Sequence, residues 1–211
     1  METLHNPYAT ALDGLDLDDP VKAFFDFCKE RESIRIAREQ GKVAPWTEDP
    51  IFQQGRFLNV FREDDRVTKS VLRFVESAQG PQERLVHAVL FARWCNKDTT
   101  LDGLATELLD TPADLRNHLE GLRDQPWSNV TAYPVEPISW EGRLLSRVET
   151  ATQLFYDQRS ALLEAIKSAK GDISAATKAV NRLLRMKNDF PIFMAIVDLA
   201  WFAPELANPS S

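Results

Sequence analysis

The chain has 211 residues, a size that fits one domain or a tight pair of domains, and its 25 basic and 32 acidic side chains give a formal net charge of −7. Two cysteines are too few for a disulfide framework, and no apolar run approaches the roughly 20 residues that a transmembrane helix needs. The N-terminus has no basic segment followed by an apolar stretch, so we expect no secretory signal and a cytoplasmic location.

The acidic side chains are unevenly distributed along the chain. Residues 1–20 hold five acids and no lysine or arginine. We therefore predict a loose acidic segment over 1–19, a single helical domain over 20–205 and a short tail over 206–211. Arginines outnumber lysines sixteen to nine, and the forked guanidinium group suits phosphate better than an ammonium group does. The negative net charge therefore does not exclude a partner that carries phosphate.

The chain shows helical periodicity and almost no alternation of period two along its length, which predicts an all-α fold. A capping aspartate followed by a proline begins a predicted helix over about 20–40. A long second helix is predicted over about 51–78. The stretch 82–96 is apolar nearly all round, which is typical of a helix at the centre of a bundle.

The second half is divided by caps and prolines. Two short helices are expected near 100–110 and 112–123, and the proline-rich stretch 124–139 is the plausible place for an extended segment. Ser139 is expected to cap a helix that begins at Trp140. The remaining predicted helices lie over 174–186, with Ser174 as the cap, and over 191–202.

The most informative polar residues lie in the predicted second helix. Their spacing of 3, 4 and 3 would place them in one column, with Arg62 beside it. The column consists of Arg56, Asn59, Glu63 and Arg66. A charged column is usually a solvated face, whereas the alternative is a polar cleft in which Glu63 holds guanidinium groups for an anionic ligand. A second column, Arg31, Arg35 and Arg38, is by itself expected to be solvated.

Three strings of sequence carry a family resemblance. They are FDFCKERESIR at 25–35, PWTEDPI at 45–51 and RFLNVFREDDRV at 56–67. These strings resemble the helical family of phage thymidine-hypermodification systems, which includes the helical domain of 5-hydroxymethyluracil DNA kinases and the alpha-glutamyl/putrescinyl-thymine pyrophosphorylases, also called amino acid:DNA transferases. The resemblance spans about 25–70, and 190–202 is weakly similar to a later segment of the family.

The resemblance implies a fold like that of the helix-hairpin-helix DNA glycosylases and a modified base in duplex DNA as the substrate. In these pathways a kinase phosphorylates 5-hydroxymethyluracil, and a transferase then replaces the phosphate or pyrophosphate with an amine, so that the phage DNA resists host restriction. The chain has no Gly-x-x-x-x-Gly-Lys-Ser/Thr loop, so we expect the transferase rather than the kinase. The expected partners are DNA carrying phosphorylated 5-hydroxymethyluracil, an amino acid donor with glycine as the first candidate, and the kinase of the same pathway. The expected location is the host cytoplasm, and no cofactor is expected.

Such a transfer needs cations near the departing phosphate and a base near the incoming amine. We therefore expect Arg62, together with Arg56 and Arg66, to stabilise the departing phosphate. The base that accepts the proton of the amine is expected to be Glu63 or Asp65. Further candidate substrate contacts are Arg35, Trp46, Asn59 and Asp198.

Several alternatives stay open. Trp46 either stacks on a base or closes the loop between two helices as a core tryptophan. Asp198 is either a buried catalytic carboxylate or a hydrogen-bond acceptor in helix packing. The three histidines make no convincing metal site. For the whole chain, the alternative to a transferase is a non-catalytic DNA-binding helical module that accompanies the kinase, and a weaker third option is a glycosylase or lyase that uses Lys187 or Asp198.

Overall fold

A computed structural model of the chain describes residues 19–55, 59–78, 80–122, 126–129 and 137–208. Most of these residues are helical and the strands are short, which confirms the predicted all-α class. Internal contacts divide the chain into two compact units, Met1–Asp65 and Arg66–Ser211. The predicted single domain over 20–205 and its tail stay a prediction, and the predicted acidic segment lies almost entirely outside the described residues.

The first unit contains α1 (Pro20–Glu39), α2 (Pro50–Gln54) and a 3-10 turn over Arg62–Asp64. The side chain of Asp19 caps α1 by accepting a hydrogen bond from the backbone N–H of Lys22 at 2.9 Å. Proline is the first residue of α1, where its missing N–H costs no helical hydrogen bond. The bounds of α1 confirm the helix predicted over 20–40.

The long second helix predicted over 51–78 is wrong. The chain forms α2, then a break, and then α3 (Arg66–Ser77) in the second unit. Gly55 ends α2 with an extended backbone, ψ 156°, and Asp65 is extended as well, ψ 131°. Glycine disfavours a helix interior by about 1 kcal/mol, and extended residues cannot belong to a continuous helix. The predicted polar column over 56–66 is therefore not a helical face, and Arg56 itself lies outside the described residues.

The second unit is a bundle around α4 (Gln82–Cys95), which packs against α3, α9 and α11. Every residue of α4 from Val86 to Cys95 is buried, which confirms the prediction of a central helix. The main hydrophobic core of the described residues runs from Val71 to Ala207, within this unit. The other helices of the unit are α5 (Asp98–Gly103), α6 (Pro112–Gly121), α7 (Arg147–Glu149), α8 (Phe155–Asp157), α9 (Arg159–Lys167), α10 (Ile173–Leu184) and α11 (Phe190–Phe202).

The helix predicted from Trp140 with Ser139 as its cap is wrong. Strand β1 (Ile138–Trp140) pairs antiparallel with β2 (Arg143–Leu145), with Ser139 opposite Leu144. The two residues between the strands both have positive φ, as a tight hairpin turn requires. Much of the stretch 124–139, where an extended segment was expected, lies outside the described residues.

The helical segment begins instead at Arg147 and runs through α7, a π-helical turn over Thr150–Leu154 and α8. Ser146 caps it through a capping box: the Ser146 hydroxyl accepts from the backbone N–H of Glu149 at 3.2 Å, and the Glu149 carboxylate accepts from the backbone N–H of Ser146 at 2.9 Å. The Ser146 N–H and next the Arg143 guanidinium lower the pKa of Glu149 to about 2.

The remaining elements complete the second unit. The helix predicted over 174–186 is α10, although its cap is Asp172 rather than Ser174, and the helix predicted over 191–202 is α11. The helix expected near 100–110 is divided into α5 and a 3-10 helix over Thr106–Asp110. Strand β3 (Gly171–Asp172) pairs parallel with β4 (Ala207–Asn208). No helix in the described ranges is long and apolar enough to cross a membrane.

Candidate binding site

A cavity of about 770 Å³ opens in the first unit, within the size range of small-molecule sites. Its wall is formed by one face of α1, the connecting loop over 40–49, and α2. The charged, polar and aromatic side chains that line it are Arg31, Arg38, Trp46, Thr47, Phe52 and Gln53. Among the described residues that line this cavity none is acidic, so its lining carries two positive charges and no negative one.

The cavity is built by the Trp-Thr-x-Asp-Pro string that follows α1. The hydroxyl of Thr47 donates to the carboxylate of Glu30 in α1 and accepts from the backbone N–H of Asp49 at 3.1 Å. The Asp49 carboxylate caps α2 by accepting from the N–H of Ile51 at 2.8 Å, and the Gln53 amide donates to the Thr47 carbonyl at 2.8 Å. The side chains of this string therefore bind the loop both to α1 and to α2. These hydrogen bonds explain why the string contains a threonine and an aspartate.

Trp46 forms one wall of the cavity. Its indole N–H donates to the carbonyl of Lys42 at 2.6 Å, and 38% of the residue stays exposed. The guanidinium carbon of Arg38 lies 5.1 Å from the centre of the ring, within the range of a cation–π interaction. A core tryptophan would be buried on both faces, so this geometry supports the stacking interpretation of Trp46.

Arg31 lies two helical turns before Arg38 and is buried, with 8% of its surface exposed. It donates a long hydrogen bond of 3.5 Å to the side-chain oxygen of Asn59. Burial lowers the pKa of Arg31, the positive charge of Arg38 lowers it further, and Glu32 acts in the opposite direction. The expectation that Arg31 is solvated is therefore wrong, because the helix places it inside the wall of the cavity.

Arg35 belongs to the same helix but does not line the cavity. Its guanidinium group forms ion pairs with the carboxylates of Glu32, Glu39 at 2.8 Å and Asp64 at 3.2 Å. The hydrogen bonds that Arg35 donates to the Glu32 carboxylate are the largest cause that raises the pKa of Arg35. Of these three carboxylates, only that of Asp64 lies outside α1, so this pair joins α1 to the 3-10 turn. The proposed contact of Arg35 with a substrate stays a prediction.

The predicted catalytic residues lie in the 3-10 turn of the first unit and directly after it. Glu63 is exposed, whereas Arg62 and Asp65 are half-buried, and none of the three lines the cavity. Of the predicted site residues, Trp46 thus lines the cavity, and Asn59 contacts Arg31, which lies in the cavity wall. The predicted base does not line the cavity. Sequence reasoning missed Arg31 and Arg38 as the cationic lining, although the seven-residue spacing on one helix was a usable signal.

Two predicted site residues belong to the second unit. Arg66 is exposed and pairs with Asp98 at 2.6 Å. Asp198 is fully buried and pairs through both carboxylate oxygens with Arg93, whose Nη2 also donates to the hydroxyl of Thr68 at 3.1 Å. The carboxylate of Asp198 is thus occupied by a packing interaction between α11 and α4, which supports the hydrogen-bond acceptor alternative.

Potential metal ligands are scattered over the described part of the chain. No group of three or more His, Cys, Asp or Glu side chains there could hold a metal ion. His87 is buried in α4, where its Nε2 lies 3.4 Å from the carbonyl of Ala151, and burial lowers its pKa to about 4.

Residues 19–122 match the family model described as "5-hmdU DNA kinase, helical domain". Over these residues the chain is similar to this family. The kinase-related region covers just under half of the 211 residues and includes α1 to α6 together with every residue that lines the cavity. The match confirms the resemblance to the kinase helical domain, whereas the resemblance to the transferases stays a prediction. No curated protein and no solved structure matches the chain.

Proposed function

We propose that the chain acts in the hydroxymethyluracil modification of DNA and binds a phosphorylated 5-hydroxymethyluracil base in the cavity of the first unit. The observation that carries the proposal is the meeting of Arg31, Arg38 and Trp46 in one cavity whose described lining has no acid. Guanidinium groups bind phosphate through charge-assisted hydrogen bonds, and an indole ring stacks on a base. The relation to the helical domain of 5-hmdU DNA kinases supports this base as the ligand.

Within this proposal the activity is that of an amino acid:DNA transferase in the host cytoplasm, with glycine as the first candidate donor. The amine nitrogen attacks the exocyclic methylene carbon of the base. The bond between that carbon and the phosphate oxygen breaks, and its electron pair leaves with the phosphate. The attacking amine then loses a proton to a carboxylate.

The residues of the first unit have separate roles in this reaction. Arg31 and Arg38 stabilise the negative charge that develops on the departing phosphate. Arg62 is a further candidate for that role, and Glu63 and Asp65 are the candidate bases. The product would be a hypermodified thymidine that resists host restriction.

A second function, a non-catalytic module that accompanies the kinase, is favoured by one observation. The described lining of the cavity has no carboxylate, so none of its described lining residues could accept the proton of the incoming amine. In this case the first unit binds the phosphorylated base that the kinase produces, and another protein carries out the transfer.

The two functions are separated by one assay. The full chain is incubated with duplex DNA that contains phosphorylated 5-hydroxymethyluracil and with each amino acid in turn, and the nucleosides are analysed by mass. A transferase produces a nucleoside that has lost phosphate and gained the amino acid. Preferential binding of the phosphorylated DNA without any such product supports the accompanying module. Equal affinity for phosphorylated and unphosphorylated DNA would overturn both.

The cavity itself is tested by Arg38→Gln, with Lys22→Gln as the matched control. Both variants remove one exposed positive charge from α1, but Lys22 pairs with Asp26 at 2.7 Å and lies outside the cavity. A charge-assisted hydrogen bond contributes about 1.5–3 kcal/mol, so Arg38→Gln is expected to weaken binding of the phosphorylated DNA about tenfold or more. Lys22→Gln is expected to change it by less than about twofold. Equal affinities of the two variants in a fluorescence anisotropy titration would contradict the assignment.

A further inference from the structure

A second cationic feature lies in the second unit, on α10. This helix is capped by Asp172, whose carboxylate accepts from the backbone N–H of Ala175 at 2.8 Å. Its buried face consists of Ala176, Thr177, Val180 and Leu184, which pack into the core. The opposite side of the helix and 185–188 after it carry positive charges only, and the first acid that follows is Asp189.

The residues concerned are Lys178, Arg182, Arg185 and Lys187, and we call them the α10 basic face. All four are exposed, and 173–188 contains no acidic residue. This stretch thus has four positive charges in a chain whose formal net charge is −7. The spacing of 4 and 3 between the first three places them on one side of the helix.

Several other cations of this unit pair with nearby carboxylates, whereas those of the α10 basic face do not. Ion pairs join Arg73 to Asp102, Arg84 to Asp110, Arg116 to Glu120 and Glu149, Arg143 to Glu149 and Lys167 to Glu164. Over the described ranges, no carboxylate lies within ion-pair distance of Lys178, Arg182, Arg185 or Lys187. Four neighbouring unpaired cations repel one another, and a polyanion would relieve that repulsion.

The turn after α10 holds the end of this face in a defined conformation. Arg185 ends the helix in the left-handed region with φ 55°, and its backbone N–H donates to the carbonyl of Asn181. The N–H of Met186 donates to the same carbonyl at 3.1 Å, and the N–H of Phe190 donates to the side chain of Asn188 at 3.1 Å. Such paired bonds are the usual way in which a helix end is closed.

We propose that the α10 basic face binds the backbone phosphates of duplex DNA. Three of its residues span 178–185, about 10 Å along the helix axis, and a duplex presents about six phosphate charges over that length. Lysines and arginines that contact DNA phosphates fix the position of a protein on the duplex and carry no sequence preference. Within the face, the Arg182 guanidinium donates a hydrogen bond to the Lys178 carbonyl at 3.2 Å, and no carboxylate is needed to hold it there. The inference rests on the proposed function only in taking DNA as the polymer, because the face lies outside the cavity that binds the base.

The test compares two variants with the same change in net charge. In the first, Lys178, Arg182, Arg185 and Lys187 are all replaced by Gln. In the second, the exposed and paired Arg73, Arg116, Arg143 and Lys167 are replaced by Gln. Affinity of the full chain for a labelled, unmodified DNA duplex is measured over about 50 to 200 mM salt, and circular dichroism verifies that both variants keep their helices.

The first variant is expected to bind at least tenfold more weakly than the wild type, and its slope of log K against log salt is expected to be smaller by about 3 to 4. The second variant is expected to keep both the affinity and the slope. Equal loss in the two variants, no loss in the first, or no binding of DNA by the wild type would overturn the proposal. Tighter binding of an RNA duplex of the same sequence would overturn it as well.

The unmodified duplex separates this inference from the proposed function. It contains no 5-hydroxymethyluracil, so the loss of its binding reports on the α10 basic face alone. Conversely, absence of any preference for phosphorylated DNA would reject the proposed function while leaving the result for unmodified DNA intact.

Discussion

Three arginines of α1 are spaced 4 and 3 residues apart on the same helix but differ in their surroundings. Arg31 is buried in the wall of the cavity, Arg38 lies over the ring of Trp46, and Arg35 is held by three carboxylates. One of those carboxylates is Asp64, which is far from Arg35 in sequence and reaches it only after the chain turns back. Helical spacing places all three on neighbouring faces of α1. It does not predict which arginine forms an ion pair with a residue that is distant in the sequence, so their separate roles could not be predicted.

His87 gives a prediction of pH dependence. Burial lowers its folded-state pKa to about 4, below the unfolded value of about 6.5, so the unfolded chain takes up the proton first as the pH falls. The free energy of unfolding is therefore expected to decrease between about pH 6.5 and 4, by about 2 kcal/mol at pH 5. Urea denaturation at pH 7 and pH 5 measures this change.

The matched variant is His87→Leu, which removes the titrating group from the same buried position. Whatever its stability at pH 7, it is expected to lose about 2 kcal/mol less than the wild type on going to pH 5. Parallel losses in both proteins would show that His87 does not report the buried environment described here.

At the scale of the element, α4 was predicted well because its apolar residues cover nearly the whole circumference, and this property alone identifies a central helix. The predicted second helix failed because the apolar residues on both sides of Gly55 share a helical period, while a glycine and the extended Asp65 interrupt it. The hydrophobic period indicates which residues face the core. Whether a helix is continuous depends on local backbone preferences, and the hydrophobic period carries no information about them.

Two serines provide a direct test of where a helix begins. Ser146 forms a capping box with Glu149, whereas Ser139 lies exposed in the β1 strand. We expect Ser146→Ala to lower the free energy of unfolding by about 1 kcal/mol, because a helix N–H loses its acceptor. Ser139→Ala is expected to change it by less than about 0.5 kcal/mol. Urea titration of both variants provides the comparison, and a larger effect at Ser139 would favour the helix expected from Trp140.

At the scale of the whole molecule, the main hydrophobic core of the described residues lies within the second unit. A fragment over 66–211 is therefore expected to unfold cooperatively, with the helical circular dichroism signal lost in a single urea transition. A broad, gradual loss of signal would show that the first unit is needed for folding. The full chain under the same conditions is the control.

The candidate site was predictable in part. Trp46 and Asn59 were named from the sequence, because unusual residue types stand out in the strings around 45–51 and 56–67. The cavity itself was not predictable, since it depends on how the loop over 40–49 brings α2 against α1. Its charge follows from Arg31 and Arg38, and their inward orientation is a property of the folded first unit.

The ion pair of Arg93 with Asp198 joins residues separated by 105 positions in the sequence. The Arg93 guanidinium, in the last turn of α4, would lack its buried carboxylate partner until α11 packs against α4, and such burial is strongly unfavourable. During synthesis on the ribosome, α4 therefore has no stable final position when it first emerges. The pair between α4 and α11 can form only after about a hundred further residues have been translated.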